Sequence, residues 1–300
     1  MPEDGPRTTA VMMTHNRRAE AARALERMTA LPDRVPIIVV DNGSTDGTAD
    51  LLAAEFPQVR LLRSTENLGA VARNLAVREV TTPYVSFCDD DCWWAPGSLR
   101  RAARVLDEHP AVGAVMGRCV VEPDGRDDPL TPELRGSPVP APAWLPGPAL
   151  LSVMAGLTTF RTSAFRAAGG FRERLWLGGE EELLALDLAA AGWWLCWVED
   201  VVVHHAPSVA RDSRRRRQLG IRNTLWTTWL RRPLPSAVRR SAAVLGSSPK
   251  DRHTLGAVSE AVGGLRWVLR ERRVVPPGVE RGLRRLEESQ RRSAARRYVD

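Results

Sequence analysis

Four strand-like runs, residues 8–13, 35–40, 59–63 and 84–88, alternate with helical stretches at about 18–31, 48–55 and 67–76. This alternation constrains the fold more than any other feature. Strands joined by a crossover helix return to the same end of a sheet and therefore run parallel. The helix starts carry the Asn, Asp, Ser, Thr and Gly residues that cap and turn a chain. The expectation is an α/β chain whose mostly parallel, Rossmann-like sheet is flanked by helices.

In such sheets ligands gather beyond the carboxyl ends of the strands. Thr14-His15-Asn16-Arg17 follows the first run, the turn from Asp41 to Thr48 follows the second, and Asp89-Asp90-Asp91 follows the fourth. Three adjacent carboxylates repel one another and need water, arginine or a metal ion to compensate. Their hard oxygens suit Mg²⁺ or Mn²⁺, ions that bridge carboxylates to substrate phosphates. Taken alone the triplet also reads as a solvated acidic turn. Polar groups delivered to one rim by separate strands favour a site.

Prolines thicken between residues 122 and 148, which reads as a long irregular loop and a candidate lid. Structure resumes at 150–161, followed by a short helix at 162–168, Gly169-Gly170-Phe171, and a glycine turn leading into Glu180-Glu181-Glu182 at a helix start, where the helix dipole favours acids. Residues 193–198 and 201–205 are strand candidates. The four cysteines show no repeated pairing and read as reduced, buried thiols rather than a zinc site.

The net charge of +7 conceals an asymmetry. Residues 1–210 carry 20 Arg and 28 acids, for −8, whereas residues 211–300 carry 22 Arg, one Lys and 8 acids, for +15. On charge alone, nucleic acid, an anionic membrane and a phosphorylated substrate are all admissible partners. The start of the chain lacks the charged and apolar segments of a signal peptide, and no run approaches the ~20 apolar residues of a membrane span. A cytoplasmic location is expected, with peripheral contact at the inner membrane face through the basic region. Within that region Leu219, Leu225, Trp226, Trp229 and Leu230 form a cationic amphipathic stretch suited either to a membrane surface or to packing on the first 210 residues.

These motifs, in this order and spacing, resemble the family 2 glycosyltransferases: Thr14-His15-Asn16-Arg17, Asp41 to Thr48, Asn67-Leu68-Gly69 with Ala72-Arg73-Asn74, Asp89 to Asp91, Gly169-Gly170-Phe171 and Gly179-Glu180-Glu181. The resemblance covers roughly residues 8–210 and implies a GT-A fold. A nucleotide-sugar half at about 8–120 and an acceptor half at about 150–210 would then be followed by a basic helical region at 211–300. It implies inverting transfer of a sugar from a UDP- or dTDP-sugar to an acceptor hydroxyl, assisted by Mn²⁺ or Mg²⁺, in cell-wall or natural-product glycosylation. Asp91 and Asp89 would hold the metal, with His205 (or its neighbour His204) as a further ligand. Thr14, Asn16, Asp41, Arg73, Asp89 and Asp90 would border the nucleotide, Asp41 reading the base.

An inverting mechanism needs a general base across the sugar from the diphosphate. The family often places Glu-Asp after the glycine turn, so Glu181 is the expected base with Glu180 beside it, a glutamate standing where the aspartate would be. Trp176 and Trp94 are candidate acceptor contacts through stacking on a sugar face, and Arg222 or the arginines at 211–217 could close over the diphosphate. The basic region favours a lipid-linked or membrane-adjacent acceptor, and a polysaccharide acceptor is also admissible. Two alternatives remain at this point: a nucleotidyltransferase, disfavoured because residues 8–30 contain neither lysine nor glycine, and a catalytically silent sugar-nucleotide binder. A nucleic-acid role would leave the acids at 89–91 and those of Gly179-Glu180-Glu181 unexplained.

Overall fold

The computed structural model describes residues 5–207 and 213–291. Among the described residues nine strands form one sheet: β1 (Thr8–Thr14), β2 (Ile37–Asn42), β3 (Arg60–Ser64), β4 (Tyr84–Asp89), β5 (Cys92–Trp94), β6 (Val112–Val121), β7 (Arg126–Asp127), β8 (Thr158–Arg161) and β9 (Trp194–His205). Their order is β3-β2-β1-β4-β8-β6-β9-β5, with β7 added beside β6. The first four strands are parallel, as their crossover helices require. β8 is antiparallel to both β4 and β6, and β5 is antiparallel to β9, so the far half of the sheet is mixed.

The helices are α1 (Arg18–Thr29), α2 (Thr48–Glu55), α3 (Arg73–Glu79), α4 (Ser98–Glu108), α5 (Thr131–Arg135), α6 (Thr162–Ala167), α7 (Glu180–Ala190), α8 (Ser213–Arg231), α9 (Leu234–Ser247), α10 (Arg252–Gly263), α11 (Leu265–Glu271) and α12 (Pro277–Gln290). Residues 98–121, to which the sequence reading assigns no element, form α4 and β6. Most of β6 is buried, as befits a strand paired on both sides inside a covered sheet. The two strand candidates at 193–205 are one strand, β9, whose register against β6 shifts between Val198 and Val202. The proline-rich segment is not wholly irregular. It contains β7 and α5, and Arg135 in α5 pairs with Glu199 at 2.5 Å.

Phe87, Phe160, Phe165 and Phe171 pack with ring centroids 5.2 to 5.7 Å apart, joining β4, β8, α6 and the Gly169-Gly170-Phe171 segment. Asn74 of α3 fastens the same segment, donating to Phe171 O at 2.7 Å and accepting from Phe171 N at 3.0 Å. These motif residues therefore build the frame rather than the rim.

The charge boundary at residue 210 is not a packing boundary. Leu175 and Leu183 share a buried cluster with Trp226, Leu230 and Val268, and Leu151 and Leu186 share another with Val275 and Leu283. Arg231 forms a two-pronged pair with Asp187 at 2.5 and 3.0 Å, and Asn223 donates to Leu175 O at 2.7 Å and Leu177 O at 3.1 Å. The basic helices thus clamp α7 and the glycine turn before it. Among the described residues no helix is long and apolar enough to cross a membrane. Arg211 and residues 292–297, part of the expected basic region, lie outside the described residues.

Candidate active site

Strand register assembles the rim. Thr14 lies beside Asp41, and Met13 beside Asp89, so the ends of β1, β2 and β4 meet at one edge. Asn16, at φ 52°, accepts from Thr45 N at 2.7 Å, while its own N–H donates to Ser44 Oγ at 2.9 Å. It staples the loop after β1 to the loop after β2. Asn42 extends the network by accepting from Leu68 N at 2.8 Å and donating to Gly69 O at 3.0 Å. Gly69, at φ +65°, packs so tightly under the Trp176 backbone that a β-carbon would collide with it. Asp41 is 3% exposed and its Oδ2 accepts from Ser44 N at 3.2 Å. Its Oδ1 is buried with no hydrogen-bond partner in the described structure.

The acidic triplet divides three ways. Asp89 turns to Arg73 and forms an ion pair with it. Asp90 is buried, accepting from Thr14 Oγ1 at 3.0 Å and Arg17 at 3.3 Å. Burial pushes its carboxyl up to about 7, against the pull of Arg17. Thr14 and Asp90, expected to border the nucleotide, are therefore engaged with each other. Asp91 accepts from Arg17 at 3.1 Å through Oδ2 and lies 3.7 Å from His205 Nε2 through Oδ1.

Antiparallel pairing of β5 with β9 puts Cys92 opposite His205, and ligand atoms of Asp91, Cys92 and His205 lie within 4.8 Å of one another. Burial, reinforced by the nearby carboxylates, holds the Cys92 thiol well above its usual pKa. A hard divalent cation there would be met by Asp91 and His205 rather than by a neutral thiol. His204 points the other way, paired with Glu122 at 2.8 Å and stacked on Trp93.

Arg73, 6% exposed, is the electrostatic hub. Burial works against its charge, but Asp89, Glu181 and Glu180 together keep its pKa above the ordinary value. Glu180 is 3% exposed with Oε2 unpartnered, and burial raises its pKa. Glu181 accepts from Ala155 N, and burial together with the Glu180 charge pushes its carboxyl up to about 8. Glu181 and Glu182 line a cleft of about 970 Å³ between residues 128–130 and 152–154 on one side and α9 and α12 on the other. Glu182 faces Arg240 at 3.8 Å.

One expected contact is buried in the core, and another residue is otherwise engaged. Trp94 is fully buried, its Nε1 donating to Phe87 O at 3.2 Å, so it is a core residue and no acceptor contact. Arg222 stacks on Trp226 at 4.5 Å, pairs with Glu260 at 2.9 Å and donates to Leu175 O at 3.2 Å, so its guanidinium is already engaged. Trp176 adopts φ 58°, ψ −59°, a backbone region that costs a non-glycine residue energy. Its Nε1 donates to Asn67 O at 3.1 Å, which links the Asn67-Leu68-Gly69 loop to the turn carrying Glu180.

Residues 9–168 match the profile described as "Glycosyl transferase family 2". The chain belongs to this family. It is similar to the N-acetylglucosaminyl-diphospho-decaprenol L-rhamnosyltransferase of Mycobacterium tuberculosis, at 28% identity over 78% of this chain and 90% of that protein. A shorter match, 32% identity over 30% of this chain and 37% of the relative, links it to a putative teichuronic acid biosynthesis glycosyltransferase of Bacillus subtilis. Among solved structures it resembles S. aureus TarS 1–349, at TM-score 0.62 and 16% identity over 95% of this chain and 91% of that one. It also resembles a Pyrobaculum calidifontis mannosyltransferase, at TM-score 0.59 and 22% identity over 97% of this chain and 88% of that one. The fold of this glycosyltransferase is accordingly of GT-A type.

Sequence reasoning about the glycosyltransferase missed several participants. Arg17 bridges Asp90 and Asp91 yet was visible only as the last letter of a motif. Gly156 lies where a β-carbon would come within 2.8 Å of Asp89 Oδ2, a closeness no local pattern announces. Arg239 and Arg240 wall the cleft of the enzyme, but in sequence they are two arginines among many.

Proposed function

We propose that this glycosyltransferase moves a sugar, with inversion, from a UDP- or dTDP-sugar to a hydroxyl of a lipid-linked acceptor, with Glu181 as general base. The observation that carries the reading is the placement of Glu181. Of the three consecutive acids it alone both lines the cleft and lacks, among the described residues, a cationic partner within salt-bridge distance, Glu180 being walled in and Glu182 facing Arg240. Its bond from Ala155 N fixes one carboxylate oxygen and leaves the other for a hydroxyl. The acceptor oxygen would lose its proton to Glu181 as it attacks the anomeric carbon, and the nucleoside diphosphate would depart on the opposite side.

The orphaned Oδ1 of Asp41 supports a base-reading role, because a buried acceptor without a donor is costly until an imide N–H fills it. The donor set at Asp91 and His205 fits a divalent ion, which would offset the charge developing on the departing diphosphate. The Pyrobaculum calidifontis neighbour is described in complex with GDP-Man and Mn²⁺, and the Mycobacterium tuberculosis relative carries a diphospho-decaprenol substrate in its name. The first favours a metal-assisted reaction and the second a lipid-linked acceptor.

Thermal shift with UDP, dTDP, GDP and CDP, each with and without Mn²⁺ or Mg²⁺, tests the donor side. One nucleotide should stabilise the chain only when metal is present, and Asp91→Ala should remove that dependence. No response to any nucleotide would overturn the reading.

A further inference from the structure

The amphipathic stretch that the sequence offers to a membrane is used up in packing: Leu219, Leu225, Trp226 and Leu230 are all buried. The aliphatic groups left outside stand elsewhere. Of the eight large hydrophobic side chains exposed among the described residues, seven fall between Leu234 and Val274. α10 turns Thr254 and Ala257 inward, while Leu255 and Val262, 72% and 64% exposed, lie two turns apart on its outer side. α11 buries Val268 and exposes Leu265 and Leu269. The inner faces satisfy the core, so folding does not account for the outer aliphatic row.

Charge on this surface is one-sided. Arg252, Arg266, Arg270 and Arg273 are exposed and have no acidic partner among the described residues. The acids nearby are already matched: Asp251 by Arg217, Glu260 by Arg215 and Arg222, and Glu271 by Arg172 at 3.6 Å. Pairing of this face with a second copy of itself would set arginine against arginine, which is costly. Aliphatic side chains interleaved with unpaired guanidinium groups complement an interface that is apolar below and anionic above.

We propose that the α10–α11 face docks on a membrane surface rich in anionic lipid. Leu255, Val262, Leu265 and Leu269 enter the boundary between headgroups and acyl chains, and Arg252, Arg266 and Arg270 meet lipid phosphates. α9 connects this face to the cleft: its Val244 both lines the cleft and packs in a cluster with Ala257 of α10. Docking would thus hold the Glu181 cleft one helix away from the surface that presents a lipid-linked acceptor. That consequence rests on the proposed function; the docking itself does not.

The test is co-sedimentation of the full chain with vesicles of phosphatidylcholine alone or mixed with phosphatidylglycerol. Wild type should bind the mixed vesicles at least about tenfold better, with affinity falling as salt rises. Arg252→Gln/Arg266→Gln/Arg270→Gln should lose roughly fivefold per arginine removed. Leu255→Gln/Val262→Gln/Leu269→Gln should lose about tenfold or more. Both variants should keep the wild-type melting temperature and nucleotide response, since the altered side chains are exposed. Failure of wild type to bind mixed vesicles, equal binding by the glutamine variants, or a dimer in light scattering that the aliphatic variant dissolves would overturn the proposal. The readout involves no sugar transfer, so a failure of the donor or acceptor assignment would leave it standing.

Discussion

Replacing Glu181 by glutamine should trade activity for stability, and the trade should depend on pH. Burial first, and the Glu180 charge second, raise this carboxyl from the ordinary 4.5 to about 8. A group that is neutral when folded and ionised when unfolded favours folding fully below about pH 4.5; that contribution is lost as pH rises toward about 8. At ~1.4 kcal/mol per unit, the cost at pH 7 has a ceiling of about 3 kcal/mol. Glu181 lines an open cleft and titrates together with Glu180, so screening lowers the expected cost to ~1–2 kcal/mol. Glutamine keeps an oxygen for Ala155 N and abolishes the titration. Urea unfolding should therefore show Glu181→Gln more stable than wild type by that amount at pH 7 and equal to it near pH 4.5. In a transfer assay kcat should fall by about 10² to 10⁴, the loss of a general base. Wild-type activity should rise with pH through the same titration, because the ionised form takes the proton. A variant that stays active, or a stability difference that does not change with pH, would refute the reasoning.

Other consequences follow from the same geometry. Arg73→Met leaves Asp89, Glu180 and Glu181 without their shared cation and should cost about 3 kcal/mol in urea unfolding, the low end for a broken buried pair because Asp89 is partly exposed; a loss under about 1 kcal/mol would deny its hub role. Gly156→Ala pushes a methyl against the Asp89 carboxylate and should destabilise the fold by ~1 kcal/mol while weakening the nucleotide-induced thermal shift. Asp41→Asn should weaken nucleoside diphosphate binding by roughly tenfold or more in calorimetry, with little change in melting temperature. Unchanged affinity would remove Asp41 from base recognition.

The half of the fold that was legible in sequence is the half built from local rules. β1, β2 and β4 announced themselves because parallel strands buried on both faces read as apolar runs, and the half-exposed edge strand β3 showed as a short Leu-Leu pair between arginines; each is followed by its own turn chemistry. β6 escaped although it is equally apolar, since it is joined to its partners β8 and β9 by long connections and its sheet position depends on both. Trp94 shows the limit for single residues. In sequence it sits three places after Asp91 and offers a ring for a sugar, whereas β5 pairing turns it into the core.

The sequence by itself determined the edge: which strands end in Thr14, Asp41 and Asp89, and that acids stand at the start of α7, because these follow from patterns a few residues long. Tertiary structure alone decided the division of labour along that edge. Which of His204 and His205 faces Asp91 depends on antiparallel pairing with a strand more than a hundred residues away. The division of the triplet among Arg73, Thr14 with Arg17, and His205 depends on cations brought in by other elements. The basic helices, alike in sequence, became clamp or exposed face according to which side met α7 and α8. Charge can be counted residue by residue, but its environment exists only after the chain has packed.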